Sequence, residues 1–276
     1  MPNFQFHLRQ LRLAAKLGAT LHDRLTLIRF CYSGRLRLPR SKDVVHVVQL
    51  RIGRRVVPWR LRDNDSDVGT VIAIVGSREY TVAGLSPAQV TRIIDLGGNI
   101  GASVLYFSQA YPNAEIVVVE PEPKNLELLE ANLANVESRI HLFKEAVGAT
   151  PGIGRFRVTD WSGGHSLETD VALPDSRTLE RSIDVDVTTI EAIMARLQWD
   201  KVDLVKMDIE GGEVAVFRPD SAWPRHVRAV VGEYHGEAAL AALRHAAKHQ
   251  GFEFRVDPIR PLFCAVKPES VPLQVT

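Results

Sequence analysis

The sequence predicts an α/β fold: a doubly wound, mostly parallel seven-stranded sheet that carries an N-terminal helical and β extension. Three observations predict it. From Leu85 onward, short apolar runs alternate with stretches of helical periodicity, the pattern of a parallel sheet covered on both faces. A glycine-rich turn directly follows the first of those runs, at the place where open α/β sheets bind ligands. Before Leu85 the pattern differs, being helical and basic to about residue 43 and then rich in β-branched residues.

The chain has 276 residues, 45% hydrophobic and 24% charged, an ordinary globular composition long enough for a sizeable core. Within the basic segment 1–43, residues 4–33 read as helical: Phe6, Leu8, Leu11, Leu13 and Leu17, then Leu21, Leu25, Ile28 and Cys31, recur at helical spacing, with Gly18 and Gly34 as stops. Residues 1–42 hold nine cations (Arg9, Arg12, Lys16, Arg24, Arg29, Arg35, Arg37, Arg40, Lys42) against Asp23, so the remaining chain has a net charge of −7. Such an arm suits a solvated helical face packed on the main domain, or contact with an anionic membrane, a nucleic acid or a lipid-linked acceptor. Residues 44–84 form a small β accessory region. VVHVVQLRI, RVVPWRLR and TVIAIV are its expected strands, and 63–67 a loop.

Residues 85–276 form the main domain. Strands are expected at 92–95, 115–120, 139–143, 184–187, 202–208 and 227–234, with a closing pair at 252–256 and 262–267. Helices are expected at 102–111, 123–135, 190–197 and 238–250. The glycine- and proline-bearing excursion 148–183 is long for a plain connection. It predicts either a cover over the substrate side of a site or a surface insertion with its own hairpin. Cys31 and Cys264 offer neither a disulfide framework nor metal-ligand spacing. Cations interrupt the N-terminal apolar residues and no stretch reaches a membrane span, so the cytoplasm is the expected location. A homodimer is left open.

The turn RIIDLGGNIG, residues 92–101, is D-x-G-x-N-x-G rather than the G-x-G-x-x-G of a dinucleotide site, since Asn99 and Ala102 stand where glycines are needed. Asp95, Gly97, Gly98, Asn99 and Gly101 are its candidate binding residues. An acid at the strand end suits a cationic ligand, and S-adenosyl-L-methionine carries a sulfonium and an ammonium. The second strand ends in Glu120, placed to accept hydrogen bonds from two ribose hydroxyls, followed by Pro121. The third ends in KEAVG, where Glu145 and the Ala146 backbone can reach an adenine edge.

On the reaction side, Lys206, Asp208 and Glu210 alternate with apolar residues in VDLVKMDIEGGE and project to one side of an extended chain. Three ionisable groups there need partners or a ligand, and Lys206–Asp208 or Lys206–Glu210 pairing is the bland alternative. Glu233 and His235 end the following strand, His235 being a candidate general base beside Asp208, with Lys206 steering an emerging alkoxide. No ligand spacing requires a metal.

These pieces resemble the FkbM methyltransferases: IIDLGGNIG, VVVEPEPKNLELLEANL, KEAVG, GGHSL, VTTIEAIM, DLVKMDIEGGE and EYH, with Asp67 and Tyr80 at recognisable upstream positions. The resemblance spans about residues 44–267. It implies a class I methyltransferase Rossmann-like fold and O-methylation of glycans or natural products. It also implies cofactor contacts at Asp95, Gly97, Asn99, Gly101 and Glu120, and Lys206, Asp208, Glu210 and Glu213 at the reacting end. Two other functions compete. The basic arm motivates RNA methylation, against which stand the acidic body and the absence of an N-P-P-Y-type stacking box. A non-catalytic cofactor-binding protein is the other, against which stand Lys206, Asp208 and Glu210.

Overall fold

The computed structural model describes residues 2–33, 44–134, 136, 139–159, 164–168 and 178–268. Gly34, Arg35, Arg37, Arg40, Lys42 and Gly163 therefore lie outside the described residues.

The main sheet has seven strands, β3 (Arg92–Leu96), β4 (Glu115–Val119), β5 (Arg139–Phe143), β10 (Val202–Met207), β11 (Val227–Glu233), β12 (Glu253–Val256) and β13 (Leu262–Val266). Their order is β12-β13-β11-β10-β3-β4-β5. β13 runs antiparallel to both its neighbours, and the remaining pairs are parallel. This is the expected class I methyltransferase arrangement. The chain leaves β3 toward one edge and returns through β10 on the other side, so the ends of β3 and β10 flank the topological switch point.

Strand alternation splits the core in two. Ile93, Ile116, Val118 and Leu204 face one way, and Ile94, Val117, Val119 and Val205 the other. α6 (Ile190–Leu197) and α8 (Glu237–His249) cover the second face, through Ile190, Ile193, Leu243 and Ala246. α4 (Ala102–Ala110) and α5 (Pro123–Leu133) cover the first. That face also takes Leu27, Phe30, Trp59, Leu61 and Val71 from the N-terminal extension, which shares its core with the sheet.

The extension begins with α1 (Pro2–Leu17) and α2 (Leu21–Ser33), broken at Gly18. A Cβ on Gly18 would lie 2.5 Å from the backbone nitrogen of Arg24. Thr20 and Asp23 then cap α2 reciprocally: the Thr20 amide donates to Asp23 Oδ2 and the Asp23 amide to Thr20 Oγ1. β1 (Val45–Ile52) and β2 (Arg55–Arg62) form an antiparallel hairpin.

The third accessory strand does not form. Residues 65–76 are instead α3 (Asp65–Thr70) running into a π-helical turn (Val71–Gly76). The polar stretch expected as a loop contains the reason. Asn64 accepts a hydrogen bond from the Asp67 amide and starts a helix. A strand would divide Val71, Ile72 and Ile74 between two faces, whereas the helical turn buries all three. The stretch expected as a main-sheet strand at 184–187 belongs to β9 (Leu179–Thr188) of a second sheet. Its order is β6-β9-β7-β8, with β6 (Ala146–Val147), β7 (Gly152–Thr159) and β8 (Ser166–Leu167).

Arg62 fastens the extension to the main domain. Its guanidinium donates to both Asp67 oxygens at 2.9 Å and to Asn125 Oδ1 at 2.8 Å, all of them buried. Replacing it by Met leaves the Asp67 charge without this fork. Arg62→Met is expected to lower unfolding free energy by about 3–5 kcal/mol, read by urea denaturation. A loss below about 1 kcal/mol would mean the fork is not what joins the two parts.

Candidate active site

The site is built where the turn after β3 meets the end of β10. Gly97, Asn99 and Gly101 have φ of 82°, 47° and 93°, so the chain turns through left-handed conformations that favour glycine and tolerate asparagine. Gly97 is required by space as well. A Cβ there would sit 2.0 Å from the Asp208 carbonyl oxygen. At Gly98 it would sit 2.2 Å from Val118 Cγ2.

Lys206 holds this junction from beneath. Its ammonium donates to the carbonyls of Leu96 (3.1 Å) and Gly97 (2.6 Å) and pairs with Asp95 Oδ1 at 3.1 Å. Its side chain is 1% exposed and that of Asp95 0%. Burial works against the ammonium, but the charges of Asp95 and Asp208 outweigh it and hold Lys206 protonated, its pKa raised. Asp95 also accepts from the Ser103 hydroxyl.

Two cavities open above this junction. The first, about 310 Å³, is lined by Glu120, Pro121, Asn125, Glu145 and Ala146, and by residues 148–156 of the excursion. The second, about 450 Å³, is lined by Glu79, Tyr80, Lys206, Glu233, His235 and Pro261 among others. Gly97, Asn99, Asp208 and Glu210 line both and form a common wall.

Glu120, at the end of β4, is buried in the first cavity's floor. Its carboxylate accepts from the backbone amides of Asn99 (2.7 Å) and Glu122 (3.0 Å). Burial outweighs these donors and raises its pKa to about 7. Glu145 pairs with Arg196 at 2.6 Å, and Ala146 contributes to the β6·β9 ladder.

The second cavity is rich in carboxylates. Asp208 Oδ2 accepts from Tyr80 Oη at 3.0 Å. Glu79 pairs with Arg260 at 2.8 Å, and burial raises its pKa despite that partner. Burial, then the charges of Asp208, Glu79 and Glu210, push Glu233 up to about 9. His235 bridges Glu210 (3.2 Å) and Glu213 (3.1 Å). Burial opposes its charge, but the hydrogen bonds to those two carboxylates raise its pKa to about 11. Donor atoms of Asp208, Glu233 and His235 lie within 4.8 Å of one another. A metal ion there would have to take a nitrogen of His235 from one of its two acids.

The structure redistributes several expected roles. Asp95 lines neither cavity, because it is spent on Lys206 and Ser103 beneath the turn. Gly101 lines neither and serves the left-handed exit into α4. Lys206, Asp208 and Glu210 do not share one extended face: β10 ends at Met207 and Glu210 has φ 53°. Lys206 pairs chiefly with Asp95, an option the strand pattern did not raise. Both ring nitrogens of His235, expected as a general base, face carboxylates, Glu210 and Glu213, rather than open space. The excursion lines the first cavity rather than the second. Sequence reasoning missed Asn125, Glu79 and Arg260. Asn125 had one signal, a polar residue on the stripe side of an otherwise amphipathic helix.

S-adenosylmethionine fits the first cavity on two observations. Asn99 Oδ1, in the common wall, is buried with no hydrogen-bond partner among the described residues, and an ammonium would supply the missing donor. Glu120 presents a carboxylate at the end of β4, at ribose position.

Residues 95–254, more than half of the chain, match the family model of the methyltransferase FkbM domain. The chain is similar to Methyltransferase 1 of Beauveria bassiana (strain ARSEF 2860), 22% identical over 187 residues covering 60% of this chain and 73% of that protein. It is similar to Methyltransferase sdnD of Sordaria araneosa, 22% identical over 193 residues covering 60% and 74%. Among solved structures it is similar to precorrin-6y C5,15-methyltransferase from Geobacter metallireducens GS-15. That match has a TM-score of 0.42 and 14% identity, over 65% of this chain and 81% of that one.

The support from Lys206 can be separated from its charge balance. Lys206→Met strands Asp95 and is expected to cost about 3–5 kcal/mol of stability. Lys206→Met with Asp95→Asn removes the stranded charge, so stability recovers. Affinity for S-adenosylhomocysteine stays about 10–100-fold weakened in calorimetry, since the Gly97 carbonyl has lost the Lys206 donor. A double variant that binds as tightly as the wild type would refute the supporting role.

Proposed function

Since the chain belongs to the FkbM methyltransferase family and uses S-adenosylmethionine as its methyl donor, we propose that it methylates a hydroxyl oxygen of a neutral sugar, glycolipid or secondary metabolite. The observation that carries this reading is the common wall. Donor and acceptor need to meet in line, and Gly97, Asn99, Asp208 and Glu210 form a wall shared by the two cavities. The donor occupies the first cavity and the acceptor the second.

Bound S-adenosylmethionine supplies a methyl carbon on a sulfonium, with a neutral thioether as leaving group. Asn99 Oδ1 would accept from its ammonium, and Glu120 from its ribose hydroxyls. The turn held by Lys206 keeps both in register. Asp208, half-buried in the wall, takes the acceptor's proton. His235 contributes by tying Glu210 and Glu213 together. Glu213 in turn accepts from the amides of Ile209 and Gly211, which shapes the loop beside the reacting atoms.

The carboxylates of the second cavity support a neutral acceptor. The carboxylates of Asp208 and Glu210 repel phosphate, which disfavours the RNA reading. No helix among the described residues is long and apolar enough to cross a membrane.

Calorimetry is expected to give one S-adenosylhomocysteine site. Methyl-tritiated donor is expected to label neutral methyl glycosides and to leave an RNA oligonucleotide unlabelled. Label on the RNA alone, or no binding of S-adenosylhomocysteine, would overturn the proposal. The Glu120 pKa adds a pH dependence. An ionised carboxylate accepts two ribose hydroxyls better than a carboxylic acid does. With a pKa of about 7, affinity should weaken as pH falls from 8 to 6. Glu120→Gln should bind more weakly at pH 8 and show no such slope; a slope kept in that variant would assign it to another group.

A further inference from the structure

Tyr80 reaches the wall from outside the family-matched region. It follows the π-helical turn and is 1% exposed. Its hydroxyl donates to Asp208 Oδ2 at 3.0 Å. The Lys206 ammonium stands 4.0 Å from that same oxygen and 5.6 Å from the Tyr80 ring centroid. Among the described residues, no group donates a hydrogen bond to the other oxygen, Asp208 Oδ1. One oxygen of the carboxylate is thus held from the interior side and the other is left for a ligand.

We propose that Tyr80 is a positioning residue for methyl transfer: by holding Asp208 through Oδ2, it commits Oδ1 to receive the acceptor's proton. The inference rests on Asp208 being the base. The acceptor oxygen bonds to the methyl carbon as the carbon–sulfur bond breaks, and that electron pair stays on sulfur. The hydroxyl proton passes to Asp208 Oδ1 and then to solvent, while the Tyr80 proton stays in place. Burial, then the charges of Asp208, Glu233 and Glu79, hold the phenol well above its ordinary pKa, so it remains a donor. A carboxylate free to rotate would offer either oxygen and several lone-pair directions. A held one offers a single approach, and small losses of such alignment cost about 100-fold in rate.

The rival account is that a buried tyrosine hydroxyl merely needs a partner. Four proteins separate the two: wild type, Tyr80→Phe, Asp208→Asn and the double variant. Methyl transfer is assayed to whichever neutral methyl glycoside is labelled by the wild type. Tyr80→Phe is expected to lower kcat about 10–100-fold, with KM for the glycoside and Kd for S-adenosylhomocysteine changed less than about twofold. In the Asp208→Asn background the same change should have no further effect, because its route runs through Asp208. An equal loss in both backgrounds, or unchanged kcat in Tyr80→Phe, would overturn the proposal. If the wild type labels no glycoside, the hydroxyl-acceptor reading has failed by itself. The tie is then read by NMR with tyrosine labelled at the ζ carbon. Tyr80, assigned by loss of its signal in Tyr80→Phe, should resist titration in the wild type and titrate at lower pH in Asp208→Asn. Identical titration in the two proteins would overturn the tie.

Discussion

One buried ammonium organises the site. β3 and β10 are neighbours in the sheet but more than a hundred residues apart in the chain, and backbone pairing stops at their ends. Beyond that point Lys206 takes over, bridging two carbonyls of the turn and the carboxylate of Asp95. The Asp208 amide adds a bond to the Leu96 carbonyl at 3.2 Å. Gly97 can then approach the Asp208 carbonyl so closely that no side chain fits between them. A hydrophobic residue at 206 would pack, but it could not donate to the Gly97 carbonyl. A buried carbonyl without a donor is costly, and the turn would relax away from the wall.

The same ammonium changes what the acids nearby mean. Asp95 is paired beneath the turn and lines neither cavity. In the proposed reading the carboxylates of the wall, Asp208 and Glu210, would face the donor's sulfonium instead. The second cavity holds more acid than its internal cations balance: Lys206 is spent on Asp95, Arg260 on Glu79 and Asp257, and His235 on Glu210 and Glu213. The excess shows in Glu233, whose proton is held to about 9 by burial and by its acidic neighbours. A sulfonium across the wall relieves part of that excess, and an anionic acceptor would add to it.

Much of this was legible in the chain, and the limits are physical. The sheet could be read because parallel strands buried on both faces are nearly uninterrupted apolar runs. The turn could be read because its left-handed positions call for the glycines that the sequence shows at 97 and 101. Glu120 could be read because its place at a strand tip is local. What failed was non-local. Asp95 and Lys206 are each charged residues at strand ends, and nothing in either segment says that they neutralise each other. Glu210 leaves the strand face because of one left-handed residue before two glycines. TVIAIV has strand composition, yet Asn64 caps a helix upstream, and burial of Val71, Ile72 and Ile74 on one side decides the outcome.

That last reversal bears on function. Had residues 70–75 continued the hairpin as a strand, their side chains would have alternated and Glu79 and Tyr80 would have been carried away from the sheet. The helical turn brings the chain back over the ends of β3 and β10 instead. Ala73 and Ile74 then wall the second cavity, with Glu79 and Tyr80 beside Asp208. The first cavity is lined by residues of the region that matches the family, while much of the second comes from the segment before it. A methyltransferase built this way can keep its donor chemistry in the sheet and vary its acceptor through the extension. Arg62, which joins β2 to α3 and α5, is the point through which the two parts keep register.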